Sequence, residues 1–183
     1  MKRRQREAVV AAIDQRMAEH GSWCGETHLQ KAVYFLQNLL DVPTDFGYIL
    51  YKFGPFSREL RAELASMRAD GFLDLVPQPQ PYGPTLQVTP IAEQQLIARW
   101  PKTLGRHGPA LNFAAEQLSD LGVSDLERLA TALWVRREIP DSSPEGQAAR
   151  LHEIKPHVSL SDATEALRKV EDMEGEATNL IAA

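Results

Sequence analysis

The run Tyr48-Ile-Leu-Tyr-Lys-Phe-Gly-Pro-Phe-Ser-Arg-Glu-Leu-Arg-Ala-Glu-Leu64 constrains this chain more than any other. Aromatic and branched residues over 46–53 favour an extended backbone. Gly54-Pro55 then forces a corner, because glycine takes positive φ without strain and proline fixes its own φ. Ser57 is placed to cap a helix by accepting a bond from a backbone N–H two or three residues on. The sequence therefore predicts a short, mostly buried strand, a hinge at Gly54, Pro55, Phe56 and Ser57, and a helix reaching about Ala69.

Elements on either side of this joint follow from periodicity. Val9, Val10, Ile13 and Met17 fall on one face of a helix over Arg6 to Glu19. Leu29, Val33, Leu36 and Leu40 do the same over Glu26 to Leu40, with His28, Gln30, Lys31, Gln37 and Asn38 as its polar face. After the joint, Asp70-Gly71 ends the third helix, and Phe72–Val76 and Thr85–Thr89 read as antiparallel strands around a proline-rich tip, Pro77 to Pro84. Pro90 opens a further helix that ends near Trp100. Three helices followed by a two-stranded wing is the order of a winged helix. Gly105, Gly108, Pro101 and Pro109 interrupt the periodicity, so the expected organisation is a winged-helix domain over 1–100 and a C-terminal helical subdomain over 101–183. The fold class is mainly α (α+β). In the second part, helices are expected over Pro109–Leu121, from a capping box at Ser124–Glu127 to Pro140, from Ser143-Pro144, and from Ser159 or Ser161, with the acidic tail after Glu171 frayed.

Several function classes lack their residues. Apolar runs such as Ala32 to Leu36 are far short of the roughly 18 residues that span a membrane, and the first residues hold no apolar signal core. A cytoplasmic protein with no membrane association is expected. Cys24 is the only cysteine, so neither an internal disulfide nor a CxxC metal frame can form. His20, His28, His107, His152 and His157 show no paired-ligand spacing, and no GxGxxG or GxxxxGK[ST] occurs. Cys24 with His28 lacks an orienting acid and reads as a turn cysteine before a helix. No catalysis, metal or cofactor is expected; the function is recognition.

Arg58, Arg61 and Arg68 gather on one face of the third helix at about 100° per residue, with Glu59 and Glu63 on the far, solvated side. In a winged helix this face can bridge guanine edges or phosphates, and otherwise it is simply solvated. From Phe72 to Ala98, the whole wing included, there is no Lys or Arg. Phosphate contacts supply most of the affinity for DNA, so such a wing suits protein better, with Tyr82 on its tip. The basic stretch Lys2 to Arg6 reads as a disordered arm or a phosphate clamp. Residues 1–100 carry eleven cations and eleven anions, and 101–183 nine against fourteen, which places the net charge of −5 in the C-terminal part.

Leu29-Gln-Lys-Ala-Val-Tyr-Phe-Leu-Gln37, then Tyr51-Lys-Phe-Gly-Pro-Phe-Ser-Arg-Glu-Leu60, then Gly71-Phe-Leu, resembles the Panacea domain of SocA-like antitoxins and the related YwgA-like bacterial proteins. Those show an LQKLxYF-type helix and a YKYGPxSxEL-type joint; Ala32 and Phe53 stand where that group often has Leu and Tyr. Ser124 to Val170, with Leu126-Glu-Arg-Leu-Ala-Thr-Ala-Leu and Ile154-Lys-Pro-His, is similar to the helical C-terminal part of the YwgA-like group. The resemblance implies a non-enzymatic bacterial protein that binds a specific protein partner, a toxin or a protease substrate. It transfers no site, since its motif residues look structural. Lys31 and Lys52 are the candidates for an exception, each otherwise read as a stem lying along the surface with its ammonium in water. The candidate binding residues are thus Arg58, Arg61, Arg68, Lys52 and Tyr82, with a protein as the first target and duplex DNA as the alternative.

Overall fold

The computed structural model describes residues 1–79, 83–138 and 143–182; Tyr82 and the expected helix end at Pro140 lie outside them. The protein is mainly helical with two small antiparallel two-stranded sheets. The chain runs through α1 (Arg3–Glu19), α2 (Glu26–Asn38), β1 (Ile49–Tyr51), β2 (Gly54–Phe56), α3 (Arg58–Ala69), β3 (Leu73–Val76), β4 (Thr85–Val88) and α4 (Pro90–Gln95). A 3-10 turn over Ile97–Arg99 leads into α5 (Pro101–Leu118), α6 (Val123–Glu138), α7 (Pro144–Ile154) and α8 (Leu160–Ala182). No helix among the described residues is long and apolar enough to cross a membrane.

Local signals placed most starts. The Ser57, Thr89 and Ser143 hydroxyls accept bonds from Leu60, Ala92 and Gly146 N–H groups at 3.1, 3.2 and 2.9 Å. Ser159, not Ser161, caps α8, accepting from the Asp162 N–H at 3.0 Å. Each satisfies a donor that the first helical turn leaves unpaired. β3 pairs antiparallel with β4 as expected, Leu73 opposite Val88 and Val76 opposite Thr85.

Several expectations are corrected. The hinge is not a corner leading straight into a helix: Gly54, Pro55 and Phe56 form a strand that pairs back on β1 across a two-residue turn at Lys52-Phe53. Nor is β1 mostly buried, since Ile49 and Tyr51 are 44% and 61% exposed. α1 begins at Arg3, so the basic stretch is a helical turn rather than an arm. Residues 101–109, read as a break, are the first half of α5; Pro109 and Gly105 both face solvent, so the carbonyl that the proline leaves unpaired is open to water. Finally, α8 continues well beyond Glu171, burying Val170, Met173 and Ala177 in a helical stripe, while Arg136 holds Glu174 at 2.6 Å. α6 starts one residue before Ser124, which is therefore inside the helix rather than its cap.

One buried cluster runs through both halves. Val9, Val10 and Ile13 of α1, Leu29, Val33 and Leu36 of α2, Leu111, Ala114 and Leu118 of α5 and Leu126, Leu133 and Val135 of α6 all belong to it. α2 is buried nearly all round, including His28, Gln30 and Lys31, which were expected on a polar face.

Candidate functional site

The site is assembled around the β1–β2 hairpin, and two buried polar residues of α2 hold that hairpin in place. The Gln30 amide donates to the Ser57 carbonyl at 2.9 Å and accepts from the Ser57 N–H at 3.0 Å, completing a bond pair as a neighbouring strand would. Pro55 lies opposite Leu50, between the two outer residue pairs of the hairpin. A two-residue turn makes this the non-hydrogen-bonded position, where a missing N–H loses nothing and the carbonyl points away from the partner strand. Lys31 takes that carbonyl: its Nζ donates to Pro55 O at 2.8 Å.

Lys31 is only 2% exposed, so its ammonium does not reach bulk water, contrary to the surface reading. Burial pushes its pKa down to about 8, against the opposing pull of the Glu127 carboxylate, with the Lys155 charge adding to the depression. Lys155, also buried, meets Glu127 at 3.6 Å. Gly54 completes the joint at φ +86°, where a Cβ would stand 2.8 Å from Thr131 Oγ1 and 3.3 Å from the Glu127 carbonyl. Only glycine allows α6 to come this close to the hairpin. Gly54, Pro55 and Ser57 are thus structural, and Gln30 and Lys31 are why the helix motif and the joint motif occur together.

With its inner face pinned, the hairpin shows its apolar residues to the outside. Ile49, Tyr51, Phe53 and Phe56 form one wall of a groove of about 420 Å³; Glu26 of α2 and Arg58 and Arg61 of α3 form the other, and Lys31 lies at its base. A second groove, of about 800 Å³, continues on the other side of Arg61. Its floor is Leu64, Ala65 and Arg68 of α3, and it runs between Leu75 and Leu86 of the wing and Asp120 to Val123 of the α5–α6 connection. Glu26 and Arg61 line both grooves and face each other at 3.5 Å, both well exposed.

Arg58, Arg61 and Arg68 are therefore brought to one surface, and Lys52 stands at the hairpin turn with its Nζ 5.3 Å from the Phe53 ring centre. The side chains of Arg58 and Arg68 make no ion pair among the described residues. Glu63 is not on a solvated side: it is buried and meets Arg6 at 3.3 Å, while Glu59 accepts from the Gly47 N–H at 2.9 Å. Cys24 and His28 do not form a pair. The Cys24 thiol donates to the Asp14 carbonyl at 3.4 Å and is pushed up to about 12 by burial, and the His28 ring bonds the Leu121 backbone, with burial pulling its pKa down. Sequence reasoning missed Glu26 and Leu75 as lining residues, because neither belongs to a motif. The sequence matches no protein-family model and no curated protein.

Proposed function

We propose that this chain is a non-catalytic, cytoplasmic protein-interaction module of antitoxin or proteolytic-adaptor type, built on a winged-helix core. The observation that carries this reading is the setting of α3. Its arginine-bearing face is the floor and ridge of two largely apolar grooves, walled by the hairpin on one side and by the wing and the α5–α6 connection on the other. A helix that reads duplex DNA has to protrude into the major groove, whereas a recessed apolar surface with a few charges fits a protein segment. The absence of Lys and Arg from Phe72 to Ala98 points the same way. The resemblance to SocA-like antitoxins, carried by the α2 and hairpin motifs, supports the antitoxin or adaptor role.

Affinity purification from the native host, with nuclease treatment, tests the reading. A defined protein is expected with the wild-type chain and is lost with a groove-filling Ala65→Trp variant; recovery of the bare chain alone overturns it. Sequence-specific DNA binding is the second reading, favoured by the unpaired side chains of Arg58 and Arg68. It requires a salt-dependent complex with a defined duplex that Arg61→Ala weakens by about 1–3 kcal/mol. No mobility shift at low salt with genomic fragments would remove it.

A further inference from the structure

The two grooves beside α3 differ in charge. The larger one has Arg61 and Arg68 against Glu26 and Asp120, which balance. The smaller has Arg58 and Arg61 against Glu26 at its rim, above the buried Lys31, which Glu127 attracts, in a chain whose net charge is −5. Ile49, Tyr51 and Phe53, 44%, 61% and 52% exposed, are presented along its edge within five residues. Isolated exposed apolar residues are ordinary, but a contiguous set beside a cation without a carboxylate among the described residues, here Arg58, marks a binding surface. The hairpin that carries them is held by Gln30, Lys31 and the contact of Gly54 with α6, so little ordering is needed on binding.

We propose that the groove between the β1–β2 hairpin and α3 takes a short acidic-apolar segment of a partner protein, its carboxylates on Arg58 and Arg61 and an adjoining apolar side chain against Tyr51, Phe53 and Phe56. This rests on the protein-interaction reading above. Glu26 shows where a carboxylate sits: its Oε1 lies 3.5 Å from Arg61 Nε, at the junction of the two grooves. Between two exposed side chains this pair is weak, so a partner's carboxylate can displace it. Glu26 is thus an internal competitor for the partner's acid. Removing its charge should strengthen binding, an effect that a merely structural role for Glu26 would not produce.

The test selects random displayed peptides on the full chain, then measures one enriched peptide, fluorescein-labelled, by anisotropy. Enriched sequences are expected to place Asp or Glu next to Phe, Leu, Ile or Trp. Arg58→Glu with Arg61→Glu should weaken the labelled peptide by at least about tenfold, as should Tyr51→Ser with Phe53→Ser, while Glu26→Gln tightens it about threefold at low salt. The altered residues are all exposed, and unchanged melting curves confirm that the variants fold. Enriched peptides without acidic residues, affinity unmoved by the arginine pair or by Glu26→Gln, or displacement by duplex DNA would each overturn the proposal. A native partner that still co-purifies with the double arginine variant removes this site and leaves the interaction reading intact. Peptides that bind as expected with no native partner recovered remove the antitoxin or adaptor reading and keep the site.

Discussion

Arg3, Arg4 and Arg6 of α1 and Arg58, Arg61 and Arg68 of α3 are both triplets of arginine on a short stretch of helix, and they end in opposite electrostatic states. Around the first triplet the protein buries two carboxylates. Glu7, with no exposure, meets Arg3 at 2.9 Å and Arg4 at 2.7 Å, and Glu63 meets Arg6 at 3.3 Å. Asp70 adds a contact to Arg4 at 3.1 Å, and the Arg4 and Arg6 guanidinium groups lie over the Phe72 and Phe46 rings. Among the described residues the second triplet meets one carboxylate, the exposed Glu26. A cation is free to bind a partner only when no buried acid of its own chain claims it. The first triplet is internal structure and the second is available surface.

The largest effect should come from breaking the first triplet. Arg3→Ala with Arg4→Ala leaves the Glu7 carboxylate buried without its cations, and an uncompensated buried charge costs roughly 4 kcal/mol, read as a fall in the urea midpoint. A loss below about 1 kcal/mol would mean that these two arginines do not hold the first turn of α1 in place.

Asp14 sharpens the contrast, because it is an interior acid with no arginine paired to it among the described residues. It is 1% exposed, and burial pushes its pKa up to about 7, with the Cys24 thiol and the Val88 backbone only partly offsetting that. The folded state therefore holds a proton that the unfolded state gives up near 3.8. Stability should fall as pH rises from about 4 to about 7 and stay low above that, by something on the order of 3 kcal/mol. Asp14→Asn should flatten the profile and be the more stable protein at pH 8; a wild-type profile rising over this window would contradict the assignment.

These charges also show where the sequence was legible. Caps at Ser57 and Ser143, and at Ser159 as one of two candidates, were readable because a cap acts over three residues. The β3–β4 pair was readable because two short apolar segments flank a proline-rich stretch. Burial of Lys31, Glu7 and Glu63 was not, since a polar residue reads as surface until its distant partner is known. The hairpin was misread for two local reasons. Lys52-Phe53 lacks the Asn-Gly or Asp-Gly signature of a two-residue turn, and an aromatic strand suggests a core when here it forms an exposed wall. The groove was invisible because its lining comes from residues 26–31 of α2, alternating residues of the hairpin, and 58 and 61 of α3, whose docking no single motif encodes.

Lys31 is the intermediate case, a cation that is neither fully paired nor exposed. Lys31→Met removes the bond to Pro55 O and leaves Glu127 with Lys155 alone, but it also relieves the cost of burying an ammonium. A net loss of about 1–2 kcal/mol is expected. The wild type should gain stability as pH rises from about 8 towards 10.5, where the unfolded state holds the proton more tightly than the folded one, and Lys31→Met should lack that rise. Loosening of the hairpin should appear as faster amide exchange at Ser57.

The smallest effect on stability should come from the second triplet. Replacing Arg58, Arg61 and Arg68 together by alanine removes one weak exposed pair and three solvated stems, so the urea midpoint should move by less than about 0.5 kcal/mol. The same variant should bind anionic partners far more weakly, with a smaller dependence of affinity on salt than the wild type. The pairing of these two readouts is what separates the triplets: the α1 arginines should alter folding and leave binding by the folded fraction unchanged, whereas the α3 arginines should do the reverse. If the triple variant instead unfolds readily, the α3 arginines are also structural, and the distinction between claimed and unclaimed cations fails at the place where the proposed function depends on it.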